Sequence, residues 1–157
     1  MASSESAGSR KTVGRPMEVL LIEDNLEDAR NTIKSLHDGS IPCRVTLCVD
    51  GEEALRFLRR EAEFRQAPRP DLILLDIELP KCDGIEILDR IRGDRELANM
   101  PVVVLTASRT HQAVFVARQL HVDEYMTKPV SVEQFLRVVR TLRHKLLRGE
   151  LDIPALE

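Results

Sequence analysis

The chain has 157 residues, of which 43% are hydrophobic and 31% charged, and its 23 lysines and arginines against 26 aspartates and glutamates leave a net charge of −3. That length suits one domain with a buried core of ordinary size, and the slight acidic excess argues against nucleic acid as a partner. The apolar runs at Val19–Ile22, Leu72–Leu75 and Val102–Leu105 fall far short of the roughly 20 residues of a membrane span, and the N-terminus lacks a signal-peptide core, so a cytoplasmic protein is expected.

Residues 1–15 are rich in Ser, Gly, Ala and charge and are read as a disordered leader. Met17–Glu23 is a continuous apolar run ending in acids, the pattern of a buried strand. Asn25 can cap a first helix, with Asp28 at its third position, and Gly39 suits a left-handed cap at the other end. Arg44–Cys48 alternates and reads as a second strand, and Asp50-Gly51 is a turn signal. Ala54, Leu55 and Leu58 then recur at helical spacing, predicting a helix to about Arg65, before Pro68 and Pro70.

Leu72–Leu75 is a third strand ending at Asp76, and Pro80–Gly84 a loop. Ile85, Leu88 and Ile91 mark a third helix, Pro101–Thr106 a fourth strand, and Thr110–His121 a further helix. A short fifth strand lies around Glu124–Met126. Ser131 caps a last helix whose apolar stripe includes Phe135, Val139, Leu142 and Leu146. Five strands alternating with five helices predict a parallel sheet covered on both faces. The three cysteines, Cys43, Cys48 and Cys82, form no disulfide framework and no zinc motif, and fit reduced thiols.

Ligands of such sheets sit beyond the carboxyl ends of the strands. There the first strand ends in Glu23-Asp24, the third in Asp76 and the fourth in Thr106, and Lys128-Pro129 follows the fifth. Alone, each has an ordinary reading. An acidic pair often opens a helix, an aspartate can mark a strand end, threonine suits strands, and a lysine before proline is a loop. Together they predict a pocket of three carboxylates, one hydroxyl and one ammonium. Close carboxylates repel unless a cation joins them, and an oxygen-rich shallow site suits Mg²⁺. A carboxylate beside that ion can act as nucleophile toward a phosphoryl group, with Lys128 and Thr106 offsetting charge on the transferring oxygens.

The segments Ile22-Glu23-Asp24-Asn25, Leu74-Leu75-Asp76-Ile77-Glu78-Leu79-Pro80, Asp83-Gly84, Val104-Leu105-Thr106-Ala107-Ser108 and Tyr125-Met126-Thr127-Lys128-Pro129 resemble the receiver domain of bacterial response regulators, from about Met17 to Leu147. The spelling is most similar to the small regulators paired with phytochrome-type histidine kinases. The supporting stretches are Asp50-Gly51-Glu52-Glu53-Ala54-Leu55, Pro68-Arg69-Pro70-Asp71-Leu72 and Leu105-Thr106-Ala107-Ser108-Arg109. The resemblance implies an α/β fold, a doubly wound five-stranded parallel sheet of flavodoxin-like order 2-1-3-4-5. It implies that Asp76 accepts a phosphoryl group from a kinase phosphohistidine. Asp24 and Asp76 would bind Mg²⁺, with Glu23 acting through water and the backbone carbonyl of Glu78 as a further ligand. Lys128 would pair with Asp76 and then with the phosphate, in a segment with a cis Lys128–Pro129 peptide. Thr106 and Tyr125 would form a switch pair. Two positions depart from the pattern: Glu78 stands where a non-acidic residue is usual, and Cys82 where a basic one is common.

The function so implied is a single-domain, phosphorylation-controlled binding module rather than an enzyme, beyond intrinsic autodephosphorylation. Its expected partner is a histidine kinase, with phytochrome association. Two alternatives stay open: a small phosphatase or phosphotransferase using Asp76 as nucleophile with Glu78 as second acid, and a pseudo-receiver that binds without phosphorylation. Residues 16–148 are read as the receiver domain, and residues 149–157, too few for an output domain, as a C-terminal extension that serves as a dimer arm. A homodimer is expected because Phe115 falls opposite the core stripe of its helix, Val138 and Leu147 lie at the edges of the last helix's stripe, and Ile153 sits in an apolar tail.

Overall fold

Three of the five strands are buried along their whole length, and these three are the apolar runs of the sequence. They are β1 (Met17–Ile22), β3 (Leu72–Asp76) and β4 (Val102–Thr106). The two partly exposed strands, β2 (Cys43–Cys48) and β5 (Glu124–Thr127), take the edges. In this computed structural model, which describes residues 15–79, 84–108 and 119–148, all pairings are parallel and the strand order is β2-β1-β3-β4-β5. This is the doubly wound, flavodoxin-like order expected.

The period of two along each strand divides the core between the two faces. Leu20, Ile22, Ile73, Leu75, Val102 and Val104 face α2 (Gly51–Arg59) and α3 (Gly84–Gly93), which bury Ala54, Leu55 and Leu58, and Ile87, Leu88 and Ile91. Val19, Leu21, Leu72, Leu74, Val103 and Leu105 face α1 (Leu26–Asp38) and α4 (Val132–Leu147), which bury Ala29 and Leu36, and Phe135, Val138, Val139 and Leu142. At the opposite end from the acids, the buried Asp71 accepts from the Glu18 N–H at 2.8 Å and from both terminal nitrogens of Arg15. That ties the entry of β1 to the entry of β3.

Asn25 caps α1 as expected, its Oδ1 accepting from the Asp28 N–H at 2.9 Å, and Ser131 Oγ accepts from Gln134 N at 3.1 Å ahead of α4. Three details differ from the sequence reading. Asp50-Gly51 is a helix start, with Asp50 Oδ1 accepting from Glu53 N at 2.8 Å. Gly39 is extended (φ −78°, ψ 169°) rather than left-handed: its N–H closes the last turn on Leu36 O at 3.3 Å, and the chain then bends toward the edge strand β2. A left-handed residue instead follows α2, where Arg60 (φ 56°) ends the helix at Arg59, short of the expected Arg65; Ala62 and His121 also have positive φ. There Glu61 N donates to Arg56 O and Arg60 N to Phe57 O, closing the last turn. A short 3₁₀ turn (Ala62–Phe64) then brings Phe64 edge-on to Phe57, ring centres 5.4 Å apart, so the chain doubles back onto the core before the prolines.

Gly84 opens α3 against the end of β3. A Cβ there would lie 2.5 Å from Ile77 Cα and 2.7 Å from Asp76 O, so the helix can approach the strand end only with glycine at this point. The expected helix Thr110–His121 falls largely outside the described residues, as do Cys82, Asp83, Phe115 and Ile153 and the side chain of Leu146. No helix among the described residues is long and apolar enough to cross a membrane.

Candidate functional site

The register of the three central strands brings their carboxyl ends together. Ile22 pairs with Leu75 and Asp76 with Leu105, so Glu23, Asp24 and Asp76 emerge side by side with Thr106 at the end of the next strand. Glu23 is fully buried, Asp76 is 3% exposed, and Asp24 opens to solvent. One carboxylate oxygen from each of the three lies within 4.8 Å of the others.

Lys128 reaches this cluster from beyond β5. Its N–H donates to Thr106 O at 2.8 Å, the peptide bond to Pro129 is cis, and Gln134 braces the segment through Thr127 and the carbonyl of Pro129. Lys128 Nζ lies 3.0 Å from Glu23 Oε1, 3.0 Å from Asp28 Oδ2 and 3.4 Å from Asp76 Oδ2. The third of these contacts is the expected pairing with Asp76. Asp28 was legible in the sequence only as an acid in the first turn of a helix. Its place three residues into a helix that starts at a strand end was the one available signal.

Burial, and then the neighbouring Asp76 carboxylate, push the Glu23 carboxyl up to about 7, against the pull of Lys128. Burial alone would lower Lys128, but its pairing with Asp28, Glu23 and Asp76 outweighs this and holds it above the ordinary lysine value. Three carboxylates therefore share one ammonium while Asp24 adds a fourth acid beside them, and the pocket is short of positive charge. Its donor set is entirely oxygen, with one solvent-open ligand, which suits a hard divalent cation that retains water.

Thr106 is fully buried, and its hydroxyl donates to Ser108 O at 2.8 Å and accepts from Ser108 N at 3.2 Å. Tyr125 is half-buried and packs against the core beside it. The Glu78 N–H donates to Asp76 Oδ1 at 3.0 Å, while the Glu78 side chain reaches across to β4, its Oε1 accepting from Ala107 N at 3.4 Å. Of the residues expected on a partner face, Leu147 is 82% exposed. Val138 is 2% exposed and offers a partner no surface, because it lies three residues after Phe135 and shares the core stripe of α4.

Residues 19–140 match the family described as Response regulator receiver domain. Response regulator Rcp1 of Synechocystis is 38% identical over 125 residues, which cover 80% of this chain and 85% of that protein. Among solved structures, the bacteriophytochrome response regulator AtBRR is 34% identical with a TM-score of 0.74, covering 82% of this chain and 94% of that one. The phosphorylated cyanobacterial phytochrome response regulator RcpA is 38% identical with a TM-score of 0.70, covering 86% and 96%. The Mn²⁺-bound form of Rcp1 is 35% identical with a TM-score of 0.69, covering 88% and 99%.

Proposed function

The chain belongs to the response regulator receiver family, and from that premise we propose that it accepts a phosphoryl group on Asp76 from the phosphohistidine of a histidine kinase, with Mg²⁺ bound, and signals through altered protein contacts. The observation that carries this reading is Asp76 itself, buried at the end of a central strand between a two-acid cluster and the Lys128 ammonium.

In the transfer, an Asp76 carboxylate oxygen forms a P–O bond as the P–N bond of the phosphohistidine breaks. The imidazole nitrogen keeps the electron pair and takes a proton from solvent. Glu23, Asp24, Asp76 and the backbone carbonyl of Glu78 would hold the ion, Glu23 through water. When bound, Mg²⁺ supplies positive charge against which the phosphoryl oxygens can accumulate. Lys128 donates to one of those oxygens. The Thr106 hydroxyl, which now donates to the Ser108 carbonyl, turns to donate to another, and Tyr125 follows it inward. The face formed by β5 and α4 is then altered.

The names of the relatives, two of them phytochrome response regulators, support a phytochrome-type kinase as the donor, and we place the transfer in the cytoplasm. We assign the exposed end of α4, at Leu147, to a homodimer contact together with Phe115 and Ile153. The central test is intact-mass measurement after incubation with a small phosphodonor and Mg²⁺. One phosphoryl group should be added to the wild type and none to Asp76→Asn. Equal labelling of the variant would overturn the assignment.

A further inference from the structure

Helix α1 turns a polar row toward the segment that carries Lys128. Asp28, Asn31 and Ser35 recur at the three- and four-residue intervals that keep side chains on one helix face. Asn31 Nδ2 and Ser35 Oγ both donate to the Val130 carbonyl, at 3.3 and 2.7 Å. Asp28 heads the row, and its Oδ2 takes the Lys128 ammonium at 3.0 Å.

Helix capping does not account for this carboxylate. Asn25 makes the cap and accepts from the backbone N–H of Asp28, which leaves the Asp28 side chain to Lys128. An ammonium has three hydrogens to donate. Here the two shorter contacts go to Glu23 and Asp28, and the longest, at 3.4 Å, to Asp76. The side chain of Asp28 is also the most open of the three, 43% exposed against 0% for Glu23 and 4% for Asp76.

We propose that Asp28 is a positioning residue for phosphoryl transfer: with Glu23 it draws the Lys128 ammonium away from Asp76, and it gives that ammonium up when a phosphoryl group arrives to compete for it. The inference rests on Asp76 as the phosphoacceptor. A phosphorylated aspartate presents more negative charge to Lys128 than the carboxylate it replaces. Of the contacts that Lys128 then loosens, the one to Asp28 is the least costly, because water is at hand to solvate a partly exposed carboxylate.

The test is an equilibrium titration of the full chain with beryllofluoride, a phosphoryl analogue, in the presence of Mg²⁺. Asp28→Asn should tighten binding by about two- to five-fold, the scale of one partly exposed ion pair. Glu27→Gln, which removes the same charge one residue earlier, should leave the affinity at the wild-type value. Unchanged or weaker binding in Asp28→Asn, or an equal gain in Glu27→Gln, would overturn the proposal.

A second measurement is urea unfolding of the metal-free wild type, Asp28→Asn, Lys128→Met and the double variant. The stability lost on Asp28→Asn should vanish when residue 128 is methionine, and an equal loss in both backgrounds would overturn the pairing. If the wild type takes up no beryllofluoride, the phosphoacceptor reading falls and the role of Asp28 in transfer falls with it. The unfolding cycle still decides whether Asp28 holds Lys128.

Discussion

The carboxylate of Glu78 spans from the end of β3 to the end of β4, where its Oε1 accepts from the backbone N–H of Ala107 at 3.4 Å. That N–H follows Thr106 directly, so Glu78 engages a donor at the rim of the pocket that a phosphoryl oxygen would otherwise meet. The added negative charge also opposes the approach of an anionic donor. Glu78→Asn should therefore accelerate phosphorylation by a small anionic donor several-fold, the scale of one screened charge. Time-resolved intact-mass labelling measures it, and equal rates would remove Glu78 from the chemistry.

A Cβ on Gly84 would lie 2.5 Å from Ile77 Cα, closer than a side chain tolerates. Gly84→Ala must push α3 away from the end of β3, and it should cost about 1–3 kcal/mol, the usual range for overpacking. The shift of the urea midpoint reads this directly. A wild-type midpoint would mean that α3 does not pack on β3 as described.

Glu23 gives the metal-free protein a pH dependence of defined sign. Its carboxyl is raised from an ordinary 4.5 to about 7, so the fold favours the protonated form. The corresponding stability is complete below 4.5 and is lost as pH rises through 7. Without metal, wild type should lose more stability than Glu23→Gln between about pH 5 and pH 8. Millimolar-range Mg²⁺ should raise the melting temperature, and more at the alkaline end, where Glu23 is ionised. Parallel pH profiles for the two proteins, or a melting temperature indifferent to Mg²⁺, would contradict the assignment.

Leu147 leaves a large apolar side chain 82% exposed at the end of α4. If this face joins two copies, Leu147→Asp should shift light-scattering mass from dimer toward monomer at tens of micromolar, a concentration on the order of ordinary affinities. Truncation after Arg148 tests the expected arm separately. A full-length monomer at that concentration would rule out the dimer, and a dimer indifferent to truncation would rule out the arm alone.

The apolar runs of β1, β3 and β4 and the residues that end them were readable because a strand buried on both faces has no choice but to be apolar. Acids directly after such runs must emerge together at one edge of a parallel sheet. The chain alone therefore determined the sheet, its covering on both sides, and the convergence of Glu23, Asp24, Asp76 and Lys128. It could not determine how each helix is rotated about its own axis. That phase is set by packing against the sheet, and it turns Asp28 toward Lys128 and Val138 into the core while leaving Leu147 in solvent. Nor could it tell which residue would take the left-handed conformation. Glycine permits that conformation at Gly39, but the contact of Phe64 with Phe57 accompanies a reversal at Arg60 instead. Local preference proposes such details, and contacts between residues far apart in the chain decide them, because only those contacts bury enough surface to outweigh a preference of about 1 kcal/mol.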